Sequence, residues 1–236
     1  MQYLKPINIL DARPYRPERM AVVDAVGDVF VAAGLGMVPP LHDYGCWRHP
    51  RATDAQGYLV PFLSVTWYIE QAREPSRRRV NAQRVMAAFR QEPWRNDDSL
   101  GDHYDLLLMD DPMFDPAEQQ HFGLPTTPSY SVPGIGIVLS TAGLDDLGRV
   151  SYSLLKTLAM REVLHAFGVP GIRREALALT PRVACTNPCV LGPCIDVPRD
   201  LERLTDRRLA GPPLCDLCLA ELRANLAADQ ADDPNV

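Results

Sequence analysis

The sequence contains no apolar run near the roughly 18 residues a membrane-spanning helix requires, which excludes such a helix. It also lacks the apolar core of a secretion signal: Lys5 is followed by a short apolar stretch that ends at Asp11. A cytoplasmic location is expected on that reading. Lysine is scarce, with Lys5 and Lys156 the only two, so nearly all of the 24 basic residues are arginines. Against 30 acidic residues they leave a net charge of -6, and that argues against a general nucleic-acid binder. No internal repeat and no low-complexity linker is evident. What remains is 236 residues, 46% hydrophobic and 23% charged, the balance of a soluble globular protein with a core large enough to fold without disulfides. The 22 prolines and abundant alanine suggest a GC-rich bacterial genome.

Local patterns predict an α+β chain. Residues 4–10 read as a strand. Residues 17–34 read as a helix, apolar at Met20, Val23, Val26, Val29 and Phe30 and stopped by Gly34. Residues 37–57 are rich in Pro and Gly and read as loop or broken strand. Residues 58–69 carry the β-branched and aromatic residues of a strand, and 76–91 read as a helix beginning with Arg77, Arg78 and Arg79. Strands are expected at 104–109 and 134–140, separated by a Pro-rich loop. Helices are expected at 150–168, 199–209 and 216–228. One domain over residues 1–228 is expected, with 183–228 as its C-terminal part and 229–236 as an acidic, disordered tail.

The cysteines are unevenly placed. Cys46 stands alone, while Cys185, Cys189, Cys194, Cys215 and Cys218 fall within one short stretch. Without a secretion signal, this clustering points to a metal site rather than a disulfide framework. Cys215-x2-Cys218 places two thiolates on one turn, and an earlier pair would complete a closed tetrahedron of the kind that holds structural zinc. Buried free thiols, or a redox pair at Cys215 and Cys218, are the alternatives. Spacing leaves open which four of the five cysteines bind.

The helix at 150–168 contains Arg161-Glu-Val-Leu-His165-Ala-Phe-Gly168. Set beside H-E-x-x-H, it keeps the Glu and the second His, with Arg161 in place of the first. Residues i and i+4 share a helix face, so two histidines there can hold one zinc while the Glu activates its water. With Cys185-Thr-Asn-Pro-Cys189-Val-Leu191 and Cys215-Asp-Leu-Cys218 following in order, the chain resembles a degenerate archaemetzincin, a metzincin-type zinc metallopeptidase. Gly171 stands where the resemblance places a third His, and Leu191 where it places a methionine. About a dozen extra residues, through Arg182, precede the cysteine run. The resemblance covers roughly residues 77–220 in outline, and its specific motifs lie within 156–218.

This resemblance implies a metzincin-like mixed sheet, a catalytic zinc on three histidines and a structural zinc on four cysteines. It favours Cys185, Cys189, Cys215 and Cys218 as the ligands, with Cys194 as a possible substitute. Arginine does not deprotonate usefully, so Arg161 cannot be a ligand. His165 alone cannot hold a catalytic zinc, and Glu162 is left without a water to activate. His42 and His49 flank Cys46 and, with His103 and His121, are the other histidines. The expectation is a pseudo-metallopeptidase carrying one structural zinc and acting as a binding or scaffold protein for a protein or peptide partner. A zinc peptidase with a rearranged site is the alternative. Arg161 and His165, on one face, would either make a cleft suited to a carboxylate or phosphate, or Arg161 would pair with an acidic residue and close it.

Overall fold

Successive side chains along the central strands point to opposite faces and serve two different cores, and this sets the layers. The computed structural model describes residues 5–12, 17–35, 41–46, 64–75, 78–92, 103–124, 126–142, 144, 151–179, 182–194 and 197–231. A five-stranded sheet is built from β1 (Ile7–Asp11), β2 (Leu41–Gly45), β5 (Tyr104–Met109), β7 (Ser129–Val132) and β8 (Gly136–Ser140), in the order β2-β1-β5-β8-β7. The first four pair in parallel, and β7 runs antiparallel to β8 at the edge. Gly136 allows β8 to approach β5, because a side chain there would collide with the Asp105 carbonyl.

On one face, Tyr104, Leu106, Leu108, Ile137 and Leu139 pack against α1 (Pro17–Ala33) and α5 (Ser151–Ala166). On the other, Leu10, Leu107, Met109 and Val138 pack against α2 (Val65–Ala72) and α3 (Ala82–Arg90). A sheet covered on both faces explains why β1, β5 and β8 are buried throughout. The buried stripe of α1 is Ala21, Val22, Ala25, Val26, Val29, Phe30 and Ala33, so the apolar face is rotated from the one expected: Met20 is exposed and Val23 half-buried. Gly34, at φ +77°, ends the helix in the left-handed region.

Three local expectations are corrected. Residues 65–72 form a helix, not a strand: Val65, Tyr68, Ile69 and Ala72 are buried at helical spacing, and that periodicity outweighs their β-prone composition. Residues 58–63 of that expected strand lie outside the described residues. The helix expected from 76 begins at Ala82, where the Asn81 side chain accepts from the Arg84 N–H. Arg79–Asn81 is instead β4, between β3 (Arg73–Glu74) and β6 (Met113–Phe114). Arg79 therefore does not oppose a helix dipole; it pairs with Glu74 at 3.2 Å and stacks on Phe114. Third, the expected loop between β5 and β8 contains β6, β7 and a helix, α4 (Pro116–Phe122), whose cap Asp115 accepts from the Ala117 N–H.

After α5 the chain forms a hairpin, β9 (Leu177–Leu179) with β10 (Val183–Cys185). Two helices follow, α6 (Val197–Ala210) and α7 (Asp216–Ala231). The last helix thus runs into the expected tail, and residues 232–236 lie outside the described residues. No helix among the described residues is long and apolar enough to cross a membrane.

Candidate functional site

The structure brings Cys185, Cys189, Cys215 and Cys218 together, with their sulfurs within 4.8 Å of one another. Cys194 is not in this group. Cys185 ends β10, Cys189 follows in the next loop, and Cys215 and Cys218 lie at the start of α7, so the cluster fastens the hairpin to the last helix. Cys185 Sγ is 3.7 Å from Cys215 Sγ, and Cys189 Sγ is 3.7 Å from Cys218 Sγ. Thiolates at about 2.3 Å from a zinc ion, in a tetrahedron, stand about 3.8 Å apart, so the four side chains fit that ion.

The surroundings of the sulfurs also suit a thiolate–metal centre. Arg174 donates to Cys218 Sγ at 3.2 Å and is itself held by Glu221 at 2.8 Å. Asn187 donates to Cys215 Sγ at 3.7 Å. The Cys189 thiol is lowered to about 5 by a hydrogen bond from Cys218, then by the backbone N–H groups of Leu191 and Cys215, against burial. The Cys185 thiol is pushed up to about 11 by burial, and Cys218 is raised by its bond to Cys189 and by burial. The apoprotein cluster therefore favours a mixture of thiol and thiolate, and zinc would displace the remaining protons.

The helix remnant is arranged differently. Glu162, on α5, points at β7, where Ser129 and Ser131 face it from alternate positions of the strand. Ser129 Oγ donates to Glu162 Oε1 at 2.9 Å, and Ser131 Oγ to Oε2 at 2.6 Å. Arg182 Nη1 donates to both oxygens at 2.8 Å. A carboxylate offers about four acceptor sites, and here four bonds fill them. Burial would raise the Glu162 carboxyl, but Arg182, His165, Ser131 and Arg161 reverse this and hold it below its ordinary value. Arg182 is in turn anchored by Glu118 on α4 at 2.9 Å, by Thr127 Oγ1 at 3.4 Å and by the Ser129 carbonyl.

Arg161 is buried and donates to the carbonyls of Val190, at 2.6 Å, and Gly192, at 2.8 Å. Enclosed in this way, it does not line an open anion cleft, and among the described residues it bonds to loop carbonyls and pairs with no carboxylate, in place of the two readings made from the sequence. Its partners are carbonyls of the loop after Cys189, beyond the reach of sequence pattern. Burial lowers its pKa, opposed by Cys194 and Glu162. Cys194 lies in electrostatic reach of Arg161 and Glu162, and its thiol is raised by burial.

His165 is half-buried, with its Nε2 enclosed and without a hydrogen-bond partner among the described residues. Burial, with Arg161 and Arg182 adding and Glu162 opposing, lowers its pKa to about 4, so the ring is neutral at pH 7. Gly171 abuts α7: its N–H donates to Glu221 at 3.3 Å, and a Cβ added there would stand 3.2 Å from Glu221 Oε1.

Of the other histidines, His42 is exposed on β2 and His49 lies outside the described residues. Sequence reasoning named His103 among the other histidines but missed its grouping with Glu92 and Asp105, beside which it is buried. It also treated Arg182 only as the end of an insertion; the extra segment itself was the signal that something new enters the site. A cleft of about 500 Å³ opens beside the thiols, lined by Asn187, Cys189, Arg203, Leu204 and Arg207 among others.

No family model matches the sequence, and no curated protein matches it. Among solved structures, the archaemetzincin of Methanopyrus kandleri aligns with a TM-score of 0.60 over 95% of this chain and 96% of its own, at 18% identity. The chain therefore has an archaemetzincin-like fold with a mixed sheet, and a four-cysteine cluster able to hold a metal ion.

Proposed function

We propose that this protein is a catalytically inactive archaemetzincin-like chain, with one structural zinc on Cys185, Cys189, Cys215 and Cys218, that acts as a binding or scaffold protein. The observation that carries this reading is the Arg182–Glu162 contact. A general base needs a free lone pair within reach of its water and a pKa near the working pH. Glu162 has neither, because Arg182 and two serines occupy its oxygens, and Arg182, His165, Ser131 and Arg161 hold its pKa below the ordinary value against burial. Arg161 is committed to two carbonyls, which leaves His165 as the one imidazole on this stretch of α5.

The partner proposed is a protein or peptide, since the net charge of -6 disfavours nucleic acid. A thiolate-rich site suits a reducing compartment, and the cytoplasm is the proposed location. The competing reading, a zinc peptidase with a rearranged site, has its foothold in the Nε2 of His165, which has no hydrogen-bond partner among the described residues.

Elemental mass spectrometry on the purified chain, combined with a peptidase assay, separates the two. One tightly held zinc per chain with no hydrolysis is expected. A second zinc that is lost to a mild chelator and reduced by His165→Ala, together with peptide hydrolysis, would overturn the proposal.

A further inference from the structure

On the sheet face opposite α5, a second group of ligand-bearing side chains is gathered and fully enclosed. Glu92 follows α3, His103 precedes β5 and Asp105 lies on β5; none is more than 3% exposed. One ligand atom from each lies within 4.8 Å of the others. We infer that Glu92, His103 and Asp105, with Asn8 beside them, form a binding site for a first-row divalent cation. This inference stands apart from the proposed function and involves none of its residues.

Three features support it. The first is spacing. His103 Nε2 and Asp105 Oδ2 are 3.5 Å apart, beyond the usual 2.7–3.2 Å of an N–H···O bond. Two ligands each about 2.1 Å from one ion stand roughly 3.0–3.4 Å apart in octahedral or tetrahedral geometry, which a small closure here would reach. The second is donor type. Two carboxylate oxygens and one imidazole nitrogen form a donor set that first-row divalent cations accept.

The third is Asn8, the cross-strand neighbour of Asp105 on β1. It is 4% exposed, its amide N–H₂ donates to Asp105 Oδ1 at 3.4 Å, and its Oδ1 has no hydrogen-bond partner among the described residues. Turning that amide end for end places a carbonyl oxygen beside a carboxylate oxygen, an arrangement favourable when a cation sits between them. Tyr68 on α2 donates to Glu92 Oε1 and fixes that carboxylate from behind. Mixed oxygen and imidazole donors suit Mn²⁺ and its first-row neighbours better than a soft ion.

The test is a titration of the full chain, with its cysteine zinc in place, using Mn²⁺ followed by electron paramagnetic resonance. One bound equivalent is expected, weakened about tenfold or more by Glu92→Gln and by Asp105→Asn. His165→Ala should leave it unchanged. If Asp105→Asn fails to fold, Glu92→Gln, which keeps an acceptor for Tyr68, carries the comparison. Retention of a second zinc in place of Mn²⁺, reduced by Glu92→Gln but not by His165→Ala, would equally support the site. Failure of the folded chain to take up Mn²⁺ or a second Zn²⁺, or uptake with an affinity unaltered in Glu92→Gln, would overturn it.

Discussion

One nitrogen of Arg182, Nη1, lies 2.8 Å from both carboxylate oxygens of Glu162, and this contact joins the segment inserted after α5 to the helix itself. Both groups are largely removed from water, with side-chain exposures of 21% and 2%.

Arg182→Ala should therefore be far more harmful than loss of a surface arginine. It strands a buried carboxylate, at a cost of about 3–5 kcal/mol. Adding Glu162→Gln should recover part of this, since the stranded charge is then gone. Urea unfolding of the two singles and the double gives the coupling; additive single effects would show that the two side chains do not act as a pair.

Stability should fall as the solution is acidified through the range set by His165. Its pKa of about 4 in the folded chain is below its ordinary 6.5, so the unfolded chain binds more protons between those values. The contribution is fully present above pH 6.5 and is lost as pH falls towards 4, amounting to about 1–2 kcal/mol by pH 5. His165→Gln should flatten that part of the profile, measured as thermal midpoint against pH. An unchanged slope would remove His165 from the explanation.

Cys218→Ser or prolonged chelation should loosen α7 and the β9–β10 hairpin, because these segments meet at the four thiols. A closed thiolate site contributes its binding energy to folding. Hydrogen exchange should show lost protection across residues 183–192 and 214–222 while β5 and β8 stay protected. Uniform protection after metal removal would mean that the cluster is not structural.

Arg161→His alone should yield no peptidase activity. Gly171 still supplies no ligand, and Glu162 stays bonded to Arg182, Ser129 and Ser131. The variant should also lose stability by about 1–3 kcal/mol, since the enclosed carbonyls of Val190 and Gly192 lose their donor. Peptide turnover by this single variant would contradict the proposed inactivity.

Much of the architecture was legible because it rests on short-range pattern. The mostly apolar stretch Ile7–Leu10 and the unbroken apolar run Leu106–Met109 mark strands, and the Gly34 stop marks a helix end. Residues 65–72 misled because Val, Thr, Trp, Tyr and Ile favour strands while their spacing is helical, and tertiary packing sided with the spacing. Cys185, Cys189, Cys215 and Cys218 were legible as metal-ligand types near in sequence. Arg182 and Glu162, 20 positions apart, carry no such signal, and neither do Arg161 and two carbonyls, whose acceptors have no side-chain identity. Glu92, His103 and Asp105 meet only because the end of α3 returns to the start of β5.

The bonds from Arg161 to Val190 and Gly192 also bear on reversibility. An arginine that braces the loop after Cys189 cannot be exchanged for a metal-ligating histidine without first unbracing that loop. Any change that installs a metal ligand at position 161 thus begins with a loss of stability. Such a landscape works as a ratchet: the bonds that secure the loop also resist change at Arg161.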